Sequence, residues 1–244
     1  MSEYRRPEIE SLVFFDEGGN VIDYGNRWPE GPPDDSYSAI THPERFAPLH
    51  AVADSLIRYL ASNYQVHVDE GIALLRGIGG RPFDLHDAED IDRVVRLVPE
   101  GEDCSPLLFV YTSYPGLCIY AGMLGAFIYP DCGCDACDET WESAVESLEE
   151  DVLAIVGGRY REMVDVNPLR RIGYRPGLGI EVGMGRTYGW QLEGADGSSS
   201  KGSVGDASAF DASVLKATKK RLKALAEVTP EGNWKAWPII SARR

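Results

Sequence analysis

Three of the chain's five cysteines, Cys132, Cys134 and Cys137, lie within six residues of one another. Thiolates are soft ligands that suit zinc, and a Cys-x-x-Cys pair is a common half of a zinc site. A structural zinc site needs four ligands, yet the sequence contains neither a second Cys-x-x-Cys pair nor a His-x3-His pair. The cluster therefore predicts a zinc site whose fourth ligand must be brought in by folding.

Cys104, which lies in a polar stretch, is our first prediction for that fourth ligand. Cys118 falls within a predicted strand, where a buried thiol behaves as a small apolar side chain. The other candidates are the four histidines, no two of which are spaced for chelation, and two nearby carboxylates: His42, His50, His67, His86, Asp131 and Asp135. The predicted metal ligands are thus the three clustered cysteines and Cys104.

The same cluster permits a redox interpretation. A strand followed by the Cys134–Cys137 segment at the start of a helix is the local arrangement of thioredoxin-like motifs, where helix-end amides stabilise a thiolate. Four acidic residues between positions 131 and 139 oppose it, because nearby negative charges raise the pKa of a thiol. A third interpretation is a tight loop whose reduced cysteines only pack.

Two amphipathic helices are predicted on either side of a series of strands. The apolar residues of 141–156 recur at helical spacing, with Asp138 placed to cap the helix and Gly157-Gly158 to end it. An earlier helix is predicted to start at Thr41 and to continue through Leu60, with Pro48 separating its first turn.

Short apolar runs with glycine-containing connections predict antiparallel strands. They are Tyr64–Val68, Val94–Val98, Leu107–Ser113, Leu117–Ala121, Leu124–Tyr129, Tyr160–Val164, Leu169–Tyr174, Leu178–Met184 and Thr187–Leu192, with an N-terminal hairpin of Ser11–Asp16 and Val21–Tyr24. Strands outnumber helices and do not alternate with them regularly. The predicted fold class is therefore α+β, with mainly antiparallel sheets and two or three packed helices.

The chain is expected to form one main domain with a C-terminal addition. Residues 1–194 hold the predicted sheets and the two helices, and residues 195–209 are rich in Gly and Ser, which predicts a linker or loop. Residues 210–244 contain a third predicted helix, at 212–228, followed by Trp234 and Trp237. Two tryptophans so near the end indicate that this part docks on the main domain.

The composition limits the classes of partner. The 244 residues include 43% hydrophobic residues, enough for a core, and carry a net charge of −15. An acidic surface disfavours nucleic acid, whose phosphates attract clustered Lys and Arg. Residues 211–244 are the exception, with eight Lys or Arg against three Asp or Glu, so this segment either folds back on the acidic body or has a solvated basic face.

Membrane insertion and secretion are not expected. The chain has no apolar stretch near the ~18 residues of a membrane helix, and its N-terminus lacks the apolar core of a signal peptide. Three cysteines packed within six residues are poorly spaced for a disulfide framework, which favours a reducing compartment. We therefore expect a cytoplasmic protein.

Five segments of the chain carry a resemblance to a known family: Asn26–Trp28, Gly31–Pro33, Ser36–Ser38, Thr41–His50 and Pro130–Glu139, the last reading PDCGCDACDE. Together they resemble an uncharacterised actinobacterial family of the domain-of-unknown-function kind. The resemblance covers roughly residues 20–195. It implies a bacterial source and one principal domain, and it carries over no catalytic residue.

The leading hypothesis is a non-enzymatic acidic protein with a structural zinc at the cysteine cluster and a surface that recognises a protein partner with a basic surface. A toxin-neutralising immunity protein is one possibility within that class. The alternative is an enzyme of unknown substrate, either zinc-dependent with one open coordination position or thiol-dependent. The sequence predicts no catalytic residue for it.

Overall fold

The structure is a computed structural model that describes residues 3–10, 12–77, 90–165, 171–175, 179–183, 187–195, 197, 200–207, 210–229 and 232–241. For the strands within 171–183 the backbone alone is described. Ten strands and three α-helices form in these parts, with short 3-10 helices at Asp34–Ser38, Pro43–Phe46 and Ile72–Gly77. The α+β class is thereby confirmed.

The centre of the fold is a five-stranded antiparallel meander. Its strands lie in sequence order, from β1 (Val66–Glu70) through β2 (Ile91–Pro99), β3 (Leu107–Thr112) and β4 (Leu117–Ala121) to β5 (Gly125–Tyr129). Each strand pairs with the next, and the connections from β2 to β5 are short, as an antiparallel meander allows. The register places Leu107, Ala121 and Gly125 side by side at one end of the sheet and Tyr111, Leu117 and Tyr129 at the other.

Two helices, α1 (Pro48–Asn63) and α2 (Trp141–Val156), pack on one face of this sheet. Their buried apolar residues, such as Leu56 and Leu148, recur at three and four positions, as the sequence predicted. The opposite face is also buried, so all five residues of β4 are inaccessible. This explains why β3 and β4 are continuous apolar runs rather than alternating ones.

The second half of the chain forms two smaller antiparallel sheets. β6 (Tyr160–Asp165) pairs with β9 (Thr187–Glu193), which pairs with β10 (Ser200–Asp206). Between them β7 (Arg171–Arg175) and β8 (Gly179–Gly183) form a separate hairpin. β10 lies inside residues 195–209, the stretch predicted as a linker or loop. A strand forms there without large apolar side chains, because backbone pairing with β9 does not need them.

The C-terminal part packs on the body. Helix α3 (Ala212–Val228) buries Leu215 and Leu225, and the segment after it buries both Trp234 and Trp237. This segment makes isolated bridges with three distant parts of the chain: Asn233 with Arg161, Lys235 with Cys104, and Ile239 with Tyr64. The C-terminal segment therefore joins strand β6 to the residues just before β1 and β3 of the main sheet.

The predicted N-terminal hairpin is reduced to one antiparallel bridge, between Phe15 and Val21. The intervening turn is held by Asp16, whose carboxylate accepts a hydrogen bond from the Asn20 backbone at 2.8 Å. Both bridge residues are more than half exposed, so no core supports longer strands there. No helix in the described part of the chain has the length and apolarity that spanning a membrane requires.

Candidate metal centre

The cysteine cluster occupies the connection between β5 and α2, residues 130–140, which we call the cysteine loop. Helix α2 starts at Trp141, and Thr140 is its N-cap, accepting a hydrogen bond from the Ser143 backbone at 3.1 Å. The prediction that Asp138 caps the helix is wrong: Asp138 has a positive φ of 51° and its side chain is used elsewhere. A threonine at the boundary is an equally good cap, and spacing alone did not separate the two.

The three thiols of Cys132, Cys134 and Cys137 converge. Their Sγ atoms all lie within 4.8 Å of one another, with Cys132 and Cys134 only 3.2 Å apart. Cys137 is exposed and the other two are partly buried. Such a cluster could hold a metal ion.

Hydrogen bonds at the cluster separate the thiol pKa values. A hydrogen bond from the Cys132 thiol, followed by one from the Cys137 backbone, lowers the pKa of Cys134 below its usual range. The Cys137 thiol donates to the thiols of Cys132 and Cys134, and these hydrogen bonds raise the pKa of Cys137 to about 12. Each thiolate formed here opposes the next, and a bound cation is what allows all three to be deprotonated together.

Cys104 lies at the opposite end of the sheet from the cluster. It precedes β3, three residues before Leu107, whereas Cys132 follows β5, three residues after Tyr129, and those two strand ends are at opposite ends of the meander. Its Sγ is buried against the Ala236 carbonyl at 3.4 Å, and burial raises its pKa to about 11. The structure thus brings three of the four predicted ligands together and does not bring Cys104.

The remaining candidates also lie elsewhere or face away. His42 contacts Glu44, His50 contacts the Gly116 carbonyl and His67 contacts Asp69, while His86 lies outside the described residues. Cys118 is buried within β4, as predicted for an apolar role. Among the residues that the structure describes, no fourth His, Cys, Asp or Glu joins the three thiols.

Asp135 and Asp138 point away from the thiols and fasten the loop to residues 25–45. The buried Asp138 carboxylate accepts hydrogen bonds from the backbone of Gly25 and Arg27, both at 2.9 Å, and pairs with the Arg27 guanidinium. The buried Asp135 carboxylate accepts from the Thr41 backbone and hydroxyl at 3.2 and 2.9 Å. Two of the four acidic residues expected around the thiols are therefore engaged in hydrogen bonds with residues 25–41.

Two arginines complete this fastening. Arg27 donates to the Asp135 carbonyl at 2.7 Å. Arg45 is buried, donates to the Gly133 carbonyl at 3.0 Å and to the Thr41 carbonyl at 2.5 Å, and stacks on the Tyr24 ring at 4.6 Å. The loop is therefore held by the N-terminal segment through bonds that converge on the residues between the cysteines.

Glu139 ties the two ends of the loop together. Its carboxylate accepts hydrogen bonds from the backbone of Asp131 at 3.3 Å and of Cys132 at 2.9 Å, and burial raises its pKa. The redox interpretation required the Cys134–Cys137 segment to lie at the start of a helix. The structure does not have this arrangement, because α2 begins four residues after Cys137 and Thr140 is its N-cap. The backbone amides near Cys134 belong to the loop itself.

A cleft of about 700 Å³, the first cleft, lies beside the loop and has Asp135 in its wall. Phe15, Val21 and Trp28 supply apolar surface, and Trp28 donates its indole N–H to the Asp135 carbonyl at 2.8 Å. Its charged lining comprises Asp16, Glu17, Asp23, Asp35, Asp135, Arg27 and His42. The loop that gathers the thiols thus also shapes this cleft.

Sequence reasoning did not assign roles to Arg27 or Arg45. It placed Thr41 at the start of the first helix, whereas α1 begins at Pro48 and Thr41 donates to Asp135. The available signal was that all three fall within the segments, 26–28 and 41–50, that were noted together with the cysteine motif. Arg45 also immediately precedes the buried Phe46, which places a charged side chain at the edge of the apolar face. Pattern alone does not reveal that such an arginine is buried.

The comparisons with known proteins give a family and nothing more specific. A model described as a family of unknown function, DUF6226, matches residues 10–240. No curated protein and no solved structure matches the chain. The match spans the cysteine loop, the three α-helices α1 to α3 and the C-terminal segment, and the chain therefore belongs to this family of unknown function, DUF6226.

Proposed function

We propose that the protein is a non-catalytic binding module in which a zinc ion, held by Cys132, Cys134 and Cys137, stabilises the cysteine loop. The loop forms a wall of the first cleft, and that cleft receives a basic segment of a partner protein. The observation that carries the proposal is the convergence of the three thiols within 4.8 Å. Asp135, which lies between Cys134 and Cys137, is part of the wall of that cleft.

The thiol geometry is close to what zinc requires. Zinc–sulfur bonds of ~2.3 Å in a tetrahedron place the sulfurs roughly 3.8 Å apart. The sulfurs here lie between 3.2 and 4.8 Å from one another, so small side-chain rotations suffice. Thiolate ligands favour zinc and other soft ions over calcium or magnesium.

A structural role is supported by what the intervening residues do. Asp135 accepts hydrogen bonds from Thr41, and its carbonyl accepts from Arg27 and Trp28. Fixing the cysteines on either side of Asp135 therefore fixes one wall of the first cleft. A ligand-free loop of this length would otherwise depend on those polar contacts alone.

The charge of the first cleft selects the class of partner. Besides Asp135, four carboxylates line it together with exposed Phe15 and Val21, namely Asp16, Glu17, Asp23 and Asp35. Its arginine, Arg27, is already paired with Asp135 and Asp138. A segment that carries Lys or Arg beside an apolar side chain would satisfy both the acidic and the apolar lining.

The metal is tested by elemental analysis of protein purified without added metal. We expect close to one zinc per chain in the wild type and in Cys118→Ala, whose thiol is buried in β4. Cys134→Ser should bind zinc at least ~10-fold more weakly because it lacks one thiolate. A metal-free wild-type protein that is fully folded would contradict the proposal.

The link between metal and cleft is tested by hydrogen exchange. Chelation should accelerate exchange of the backbone amides of Arg27 and Thr41, which donate to Asp138 and Asp135, while amides of β3 and β4 stay protected. Binding of a capped Arg- and Leu-containing peptide should weaken at least ~10-fold in Asp35→Lys, and less than twofold in Glu150→Lys on exposed α2 surface. Equal effects of the two substitutions would argue against the first cleft.

A zinc-dependent enzyme is the second candidate, and one observation favours it. No fourth protein ligand joins the cluster among the described residues, and the exposed Cys137 faces solvent, which is the arrangement of a metal with an open position. Cobalt substitution separates the two candidates. Added imidazole should leave the visible spectrum unchanged at a closed structural site and shift it at an open catalytic one.

A further inference from the structure

A second cleft, of about 620 Å³, runs along the free edge of β5. Its lining includes five residues from β5 and the turn before it, namely Leu124, Ala126, Phe127, Ile128 and Tyr129. Side chains of consecutive strand residues point to opposite faces, so a cleft that touches all of them follows the strand edge itself. We call it the edge groove.

The edge groove has walls on its other sides. Trp190 on β9 contacts Phe127 across it, with ring centroids 4.5 Å apart. Ser147 and Asp151 of α2 form a second wall, and Lys201 of β10 pairs with Asp151. The opening therefore suits one extended chain, and a second folded sheet would be obstructed by β9 and β10.

The backbone of this edge is available. β5 pairs with β4 alone among the described strands. Within the described part of the chain, no backbone hydrogen bond joins Ala126, Phe127 or Ile128 to any element other than β4. Along an antiparallel edge strand, alternate residues direct their N–H and C=O groups outward.

β5 also lacks the protection that the other edges have. Proteins guard edge strands with charged residues, proline or a covering segment. The C-terminal segment pairs with β6 through Asn233 and with Tyr64, two residues before β1, through Ile239, and β10 carries Lys201. β5 reads Gly-Ala-Phe-Ile-Tyr, with neither charge nor proline, and leaves Ile128 40% exposed.

We propose that the edge groove binds an extended, basic peptide segment of a partner protein, which adds a strand to the main sheet beside β5. Backbone hydrogen bonds would supply the pairing. Apolar side chains would face Trp190 and Ile128, and a Lys or Arg would face Asp131 and Glu139 at the end of the groove. The lone cationic side chain in the lining, Lys201, is already paired with Asp151, which leaves the groove acidic.

The backbone pairing in this inference is separate from the zinc and from the first cleft, since Ala126, Phe127 and Ile128 lie on β5, outside the cysteine loop. Five residues of an added strand would span about 17 Å, the length of β5. Strand addition requires the backbone amides of the peptide to donate hydrogen bonds to the carbonyl groups of β5, and blocking those amides tests this requirement.

The probe is a capped seven-residue peptide of alternating lysine and valine, with two matched controls. One carries N-methyl groups on alternate backbone amides, and the other has glutamate in place of lysine. We expect the parent peptide to slow hydrogen exchange at residues 126–129, and both controls to bind at least ~10-fold more weakly. Two N-methylated peptides, one for each set of alternate amides, that both bind within twofold of the parent would overturn the proposal. The absence of any protection by the parent peptide at a concentration of about 1 mM would also overturn it.

Two variants make the test specific to the groove. Ile128→Lys places a cation at the exposed edge and should weaken parent binding at least ~10-fold. Val98→Lys adds the same charge at an exposed residue of β2 outside the groove and should change binding less than twofold. Circular dichroism and thermal unfolding establish that both variants fold. Light scattering that shows a wild-type dimer which Ile128→Lys dissociates would assign the edge to a second copy of this chain and overturn the peptide proposal.

Discussion

Glu162 and Asp135 are both buried carboxylates that join a distant part of the chain to the body, and their surroundings differ. Glu162, on β6, accepts hydrogen bonds from the Trp234 indole at 3.0 Å and from the Leu124 backbone at 2.6 Å. Asp135 accepts from Thr41 and neighbours Arg27. One junction holds the C-terminal segment and the other holds the N-terminal segment.

The difference lies in what supports each carboxylate. Glu162 lies on a paired strand and accepts hydrogen bonds from the tight turn between β4 and β5. The carboxylate and the turn amides that donate to it are therefore each held by a sheet. Asp135 stands in an irregular loop between a strand and a helix, where Glu139 supplies the internal tie. The first junction is complete as it is, while the second contains three convergent thiols that a metal would join.

The largest effect is expected at Glu162. Glu162→Ala removes the acceptor for three backbone N–H groups, the Tyr160 hydroxyl and the Trp234 indole. Unsatisfied buried donors cost ~1–3 kcal/mol each, so the free energy of unfolding should fall by about 4 kcal/mol or more. Urea denaturation measures it, and Glu150→Ala on the exposed side of α2 should stay within ~0.5 kcal/mol.

A smaller and more local loss is expected at Arg45. Arg45→Met leaves the Gly133 and Thr41 carbonyls without this donor and removes the cation from the Tyr24 ring. We expect a loss of about 3 kcal/mol. Hydrogen exchange should accelerate in residues 24–41 and 131–138 and remain slow at the amides bonded to Glu162. Arg58→Met, at an exposed α1 position, is the control. Uniform acceleration of exchange across the whole body would show that the two junctions do not differ.

The helix that follows the cysteine loop provides an intermediate case. Thr140→Ala removes the N-cap of α2 and should cost about 1 kcal/mol in urea denaturation. Ser143→Ala keeps the capping hydroxyl, since Ser143 contributes its backbone N–H, and should be nearly neutral. A full-sized loss in Ser143→Ala would show that the cap is not the source of the effect.

The smallest effects are pH-dependent and opposite in sign. Burial raises the pKa of Asp151, so its charge destabilises the fold above the folded pKa, and this cost disappears as the pH falls towards the unfolded value of about 3.9. The stability of the wild type relative to Asp151→Asn should therefore rise on acidification through that window.

Asp103 provides the matched case. A hydrogen bond from Lys235, at 2.5 Å in the ion pair, lowers the pKa of Asp103. Its stabilisation is present above about pH 3.9 and is lost as the pH falls through the folded pKa. The wild type should lose stability relative to Asp103→Asn over that lower range. Both differences should be about 1 kcal/mol or less, and slopes of the same sign would refute the assignment.

The elements with strong periodicity were predictable. The end of α2 at Val156 follows from apolar spacing and the glycine pair, whereas the predicted cap, Asp138, lies two residues before the actual cap, Thr140. The strands β3 to β5 follow from apolar runs with short connections. β10 was missed because its residues are small and polar, and pairing with β9 decides its structure. The N-terminal hairpin was overextended because Phe15 and Val21 are apolar without a core to cover them.

For the candidate site, the sequence by itself determined that three thiols share one short loop, because a Cys-x-Cys-x-x-Cys spacing leaves them within reach of one ion. Tertiary structure decided the rest. It placed Cys104 at the other end of the sheet, turned Asp135 and Asp138 towards Arg27 and Thr41, and left β5 paired with β4 alone among the described strands. These outcomes depend on contacts between segments tens of residues apart, which spacing along the chain does not encode.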